Sequence, residues 1–321
     1  MSRKPDHAAL QQAAQWYARL SADPADQATR VAWQQWHGQH EMHRLAWQYV
    51  ERVSQRFASL QDDSVTAAQT LRSARRAGIS RRQTLRSLTL LAGGSLLGWI
   101  GWRVTPLPQL WMAWRADYHT GTGEIRDLML ADGTHLWLNS ASALNVDYRA
   151  DVRQLRLLTG EILIDTAHEA RPFIVATAQG RLRALGTRFS VTQQDGHTLL
   201  AVFDGAVEVR TAGSAATHIV QAGRQLRFDN QAIGPEAPAQ QTREAWTQGM
   251  LLVNDIPLAE FIEELNRYRH GYLGVSPQIA GLRVMGTYPL HDTEQILSML
   301  ESALPIRIQR TLPWWTSIEA R

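Results

Sequence analysis

SLTLLAGGSLLGWIGW, residues 87–102, carries no charge, and Arg86 and Arg103 bracket it. A membrane-spanning helix needs about 17–25 mostly apolar residues. The stretch is at the short limit, and the stems of Arg86 and Arg103 lengthen it if their charged ends snorkel to the interface. Trp99 and Trp102 sit where interfacial aromatics are favoured, and Pro106 and Pro108 stop the helix. Gly93, Gly94, Gly98 and Gly101 suit a membrane helix better than a soluble one. A buried helix of a soluble protein is the competing reading. A cleaved signal peptide is disfavoured, because about 85 residues precede the stretch and no Ala-x-Ala site follows it closely.

Charge sets the expected orientation. No Asp or Glu lies between Asp63 and Asp117, and six arginines from Arg72 to Arg86 precede the apolar stretch, against Arg103 and Arg115 just beyond it. Positive flanks stay in the cytoplasm. The expectation is a single-pass protein of the cell inner membrane, its N-terminus cytoplasmic and everything after about Thr105 periplasmic. Ser80-Arg81-Arg82-Gln83-Thr84-Leu85-Arg86 also resembles a twin-arginine export signal, with Arg81 and Arg82 as its motif. Binding of nucleic acid by the arginine run is supported by charge alone, so no direct nucleic-acid partner is expected.

The chain has 321 residues, 44% of them hydrophobic, a formal charge of +3 and no Cys, which excludes disulfides and thiol chemistry. Residues 1–60 read as a helical head, 61–85 as a basic linker, 86–104 as the transmembrane helix, 117–235 as a β-rich domain and 245–321 as an α+β module. In the head, Leu10, Ala13, Ala14, Tyr17 and Leu20 share one helix face. Asp23-Pro24 opens a second helix, and a third runs from about Glu41 to Leu60. Trp16, Trp33, Trp36 and Trp47 either fill a minimal core or, in a bundle too small to bury all four, leave exposed indoles as candidate anchors for a partner protein. His37, His40 and His43 are broken by Gly38, which argues against a metal. No metal or cofactor is expected.

Strict alternation marks the β-rich part. Leu128 and Leu130 pair with Leu136 and Leu138 across Asp132-Gly133, and similar short runs continue to Leu226-Phe228, punctuated by Gly turns such as Thr159-Gly160. Sandwich, barrel and solenoid all satisfy this pattern. The one chemically suggestive dipeptide is Gly186-Thr187. Strain at the glycine would press the Thr187 hydroxyl towards the Gly186 carbonyl, where attack converts the amide to a hydrolysable ester. A glycine turn entering a strand is the plain alternative. The C-terminal part reads β-α-β-β-α-β, and its first helix, Pro257–Arg269, offers Phe261, Leu265, Arg267 and Arg269 as a docking surface.

Taken jointly, several stretches resemble the FecR family of iron-citrate transport regulators. They are Trp16-Tyr17-Ala18-Arg19-Leu20, Trp33-Gln34-Gln35-Trp36, Arg81-Arg82, Ala116-Asp117-Tyr118, Leu185-Gly186-Thr187-Arg188-Phe189-Ser190-Val191, Arg267-Tyr268-Arg269, Ala280-Gly281-Leu282-Arg283 and Gly286-Thr287-Tyr288-Pro289-Leu290. The resemblance implies an anti-sigma relay and not an enzyme. Its head would bind an extracytoplasmic-function sigma factor. Its periplasmic part would touch the signalling domain of a siderophore-loaded, TonB-dependent outer-membrane transporter, with ferric citrate as the expected siderophore. It also implies that the C-terminal module is like the short domain shared by secretins and TonB-dependent receptors, and that Gly186-Thr187 is a self-cleavage point. The alternative is a membrane-anchored periplasmic binding protein or enzyme unrelated to transcription.

Overall fold

The computed structural model describes residues 5–73, 116–194 and 196–321. Helix α1 (His7–Ala22) starts where the Asp6 carboxylate accepts a hydrogen bond from the Ala9 N–H at 2.7 Å. Asp26 caps α2 (Gln27–Gln39) in the same way, accepting from the Ala28 N–H at 2.9 Å. Ala13 and Ala14 of α1 and Ala46 and Val50 of α3 (Glu41–Ser73) are fully buried; their small side chains let the helices approach closely. Helix α2 buries only Trp36, whose Nε1 donates to Gln12 Oε1 at 2.7 Å while its ring stacks on His43. Helix α3 runs on past the expected boundary at Leu60 to Ser73, because residues 61–73 contain neither Gly nor Pro to stop it.

The expected transmembrane helix is corrected. Among the described residues no helix is long and apolar enough to cross a membrane. Residues 86–104, where the span was placed, lie outside the described residues, as do Arg81 and Arg82. The uncharged run of 16 residues is shorter than the roughly 20 a span needs. The longest helix, α3, is interrupted by charges from Glu41 to Arg72. The architecture is therefore an N-terminal helical region, a large β-rich region and a C-terminal helix-strand module.

The β-rich region is one 13-stranded sheet folded around one core. Its strands are β1 (Tyr118–His119), β2 (Arg126–Met129), β3 (His135–Leu138), β4 (Ala143–Tyr148), β5 (Arg153–Asp165), β6 (Phe173–Ala176), β7 (Gly180–Ala184), β8 (Arg188–Gln194), β9 (His197–Asp204), β10 (Ala206–Thr211), β11 (Thr217–Gln221), β12 (Arg224–Phe228) and β13 (Ala237–Pro238). Strand β5 organises the sheet. Its first half lies between β4 and the parallel β6, and its second half between β3 and β8. One face therefore continues through β7, β10 and β11, and the other through β9, β12 and β13. Both faces point apolar residues into the same core: Leu155, Phe173, Leu182 and Val209 from one, Ile162, Phe189, Leu200 and Phe228 from the other. The crossing is at Gly160, with φ +87°, where a Cβ would lie 2.2 Å from Ser142 Oγ.

Arg153 and Asp132 form an ion pair at 2.7 Å, with side chains 4% and 0% exposed. The Asp132 carboxylate also accepts from Thr134 and Tyr148. The Arg153 guanidinium donates to the carbonyls of Ala167 and Arg171 and lies over the Phe173 ring. Burial alone would push the Asp132 carboxyl up, but the hydrogen bonds from Thr134, Arg153 and Tyr148 outweigh it and hold the carboxyl below its ordinary value.

The C-terminal module contains β14 (Met250–Pro257), α4 (Leu258–Leu265), β15 (Tyr272–Val275), β16 (Arg283–Pro289), α5 (Thr293–Ala303), β17 (Ile306–Leu312) and β18 (Trp315–Ala320). Strand β15 runs parallel to β18, which pairs antiparallel with β17. After α5 the two closing runs expected from the sequence, Ile306–Ile308 and Trp314–Ile318, fall on the antiparallel β17–β18 hairpin. Residues 254–285 and 293–321 form one compact unit with the N-terminal helices. In that unit Tyr17 meets Trp314 edge-on at 5.6 Å, Tyr49 meets Tyr272 at 5.7 Å, and Gln11 Nε2 donates to Ser317 Oγ at 2.9 Å.

Removing one partner of a buried ion pair strands the other, so Asp132→Ala should cost about 3–5 kcal/mol in denaturant titration. The folded carboxyl binds its proton less readily than the unfolded one. Its contribution is thus complete at neutral pH and is lost as pH falls below about 4, the ordinary aspartate value. The wild-type advantage over Asp132→Ala should shrink on acidification; an advantage that grew would contradict the assignment.

Candidate functional site

Several links between the two faces of the sheet stack in one column. Thr166 leaves the end of β5, Leu185–Thr187 joins β7 to β8, Gly205 joins β9 to β10, and Ala222 precedes β12. Backbone hydrogen bonds tie successive links together: Thr166 N–H to Thr187 O at 3.1 Å, Leu185 N–H to Ala206 O at 3.0 Å, and Ala222 N–H to Gly205 O at 2.9 Å. Gly186 and Thr187 therefore sit in the middle of a packed corner.

Gly186 has φ +78°, in the left-handed region that a side chain disfavours. Gly205 presses on it so closely that a Cβ at position 205 would lie 2.2 Å from the Gly186 carbonyl oxygen. Thr187 is 3% exposed. Its Oγ1 is buried and has no hydrogen-bond partner among the described residues. Thr166 grips the peptide instead: Thr187 N–H donates to Thr166 Oγ1 at 2.8 Å, and the Thr166 hydroxyl donates to Thr187 O at 3.1 Å. The next residue is tied down in turn. Ala167 N–H donates to Thr134 Oγ1 at 3.1 Å, and Arg153 donates to Ala167 O at 3.1 Å. On the far side Arg188 pairs with Glu244 at 2.9 Å and lies over the Trp137 ring.

A buried hydroxyl without a partner has lost its water and gained nothing. Beside its own preceding carbonyl, that hydroxyl is one five-membered ring away from attack on carbon. The Gly-Thr pair was legible in the sequence; Thr166 was not, since nothing in its spacing marks it. Arg153 did leave a trace, because it occupies an inward position of the alternation it shares with Leu155 and Leu157.

The other expected site residues are dispersed. Trp36 and Trp47 are buried, whereas Trp16 and Trp33 are half-buried. Phe261 and Leu265 are fully buried. Arg267 pairs with Glu264 at 3.2 Å and Arg269 with Glu294 at 3.1 Å. Among the described residues no group of three or more His, Asp or Glu could hold a metal ion.

Residues 116–208 match the family described as FecR protein. That match contains Thr166, Gly186 and Thr187. Residues 11–53 match a domain of unknown function, DUF4880, across α1, α2 and the start of α3. Two crystal structures of a candidate anti-sigma factor from Parabacteroides distasonis, at 1.65 and 2.50 Å resolution, are similar in fold, with TM-scores of 0.53 and 0.52. Each is 23% identical and covers 64% of this chain and 98% of its own. No curated protein sequence matches the chain.

Thr187→Val removes the stranded hydroxyl and keeps the shape. It should leave stability unchanged or raise it by about 1–3 kcal/mol in chemical denaturation. A loss of that size would mean the hydroxyl has a partner.

Proposed function

We propose that this protein is a FecR-type regulator that binds and controls a sigma factor through its N-terminal helices. One observation carries the reading: the two matched segments fall on two separate structural parts, 11–53 on the helical region and 116–208 on strands β1–β9 and the start of β10. Helix α2 is the favoured contact. It gives only Trp36 to the core and leaves Val31 47% exposed, with the half-buried Trp33 nearby. A partly accessible indole on a helix suits an anchor in a partner's pocket. The finer reading is that the sigma factor is of the extracytoplasmic-function class. In that reading the β-rich part and the C-terminal module receive the signal of a siderophore-loaded, TonB-dependent transporter, ferric citrate being the first siderophore to try.

Full-length protein should co-purify with an extracytoplasmic-function sigma factor of its own cell, and Trp33→Ala should weaken capture about tenfold or more while the head stays folded. Capture of no sigma factor would remove the proposal. A reporter of the sigma-dependent promoter, followed across several iron chelates, separates the finer reading from the coarser one.

A second reading, favoured by the stranded Thr187 hydroxyl, is that the chain cuts itself between Gly186 and Thr187 and is otherwise not an enzyme. Wild-type protein run under denaturing conditions should show two pieces, the second beginning at Thr187, and Thr187→Ala should run as a single band.

A further inference from the structure

Resting on the self-cleavage reading, we propose that Thr166 is a catalytic residue of the Gly186–Thr187 cut, acting as the proton shuttle to the departing nitrogen. The observation is positional. The nitrogen that must leave is Thr187 N, and the nearest hydroxyl bonded to it is Thr166 Oγ1 at 2.8 Å. The nucleophile, Thr187 Oγ1, is buried and has no hydrogen-bond partner among the described residues. The two hydroxyls are thus divided in role: one is free to attack, the other is already at the leaving atom.

The chemistry balances without a further reagent until hydrolysis. Thr187 Oγ1 bonds to the Gly186 carbonyl carbon, and its proton passes to the former carbonyl oxygen, giving a neutral five-membered adduct. The C–N bond then breaks. Thr166 hands its hydroxyl proton to the nitrogen, which becomes a free amine, and recovers the proton released as the adduct's hydroxyl returns to a carbonyl. The product is an ester between Gly186 and Thr187 Oγ1. Water hydrolyses it to a Gly186 carboxylate and regenerates the Thr187 hydroxyl.

The surroundings hold Thr166 to this task. Its own N–H donates to Thr187 O at 3.1 Å. The following residue is pinned by Thr134 and Arg153, and both lean on Asp132, so the hydroxyl has little freedom to swing away. Gly205 packs directly against the scissile carbonyl.

The test is the rate of chain cutting in full-length protein. General acid–base assistance typically supplies about 10²–10⁴-fold. Thr166→Val and Thr166→Ala should therefore cut at least about a hundredfold more slowly, and Thr166→Ser within a few-fold of wild type. Circular dichroism and melting report whether each variant is folded; Thr166→Ala, which only leaves space, stands in should the valine variant misfold. Without the shuttle, solvent must protonate the nitrogen. The slow variants should then regain rate as the pH is lowered from 8 to 5, which a purely structural lesion would not do. If the wild-type chain is never cut, the self-cleavage reading falls and the role of Thr166 falls with it. If wild type is cut and the folded Thr166 variants cut equally fast, or show no recovery at low pH, the role of Thr166 alone is overturned.

Discussion

The β-rich region depends on one close contact, that of the Gly160 backbone with Ser142. Ser142 Oγ lies where a side chain at 160 would begin, and it also accepts a hydrogen bond from the Glu161 N–H at 2.9 Å. The contact sits where β5 bends and changes partners, beside a register shift of the β4–β5 ladder between Leu157 and Thr159. Before the bend the strand pairs Leu155 with Val146 and Val175; after it, Ile162 with Leu138 and Val191. A single strand thus belongs to both faces. The end of the same strand leads into Thr166, which bonds the corner that holds Gly186 and Thr187.

Much of this was legible locally. The alternation around Asp132-Gly133 marks a hairpin, although the ladder sets Leu138 opposite Arg126 and not opposite a leucine, and Pro257 stands at the start of α4. What the pattern did not give is continuity. Leu155-Leu157 and Ile162-Ile164 read as two strands with a turn at Thr159-Gly160, yet they are halves of one strand of 13 residues. The clue was a change of parity: the inward positions are odd before Gly160 and even after it. A reversal and a bend both interrupt alternation, and only long-range pairing tells them apart. The short apolar run at 87–102 was a harder case, since its length alone sits between a span and a buried helix.

The candidate site was half legible for a similar reason. A Gly-Thr pair advertises its own chemistry, because nucleophile and target carbonyl are neighbours in sequence. Thr166 is 21 residues away and joins them only through the stacking of links. Asp132 read as a hairpin residue and no more, but it anchors Arg153 and, through Thr134, the peptide that carries Thr166. The helical region shows the complementary limit: composition announced too many indoles for a small bundle, and only packing separated Trp36 and Trp47 from the half-buried Trp16 and Trp33.

The ladder order has a mechanical consequence for a chain broken after Gly186. Strands β1–β7 would then belong to one piece and β8–β13 to the other. Six residue pairs still zip β5 to β8 and five zip β7 to β10, with one apolar interior shared between the pieces. A nicked molecule of this kind stays a single body in solution and comes apart only when force or unfolding peels both seams together.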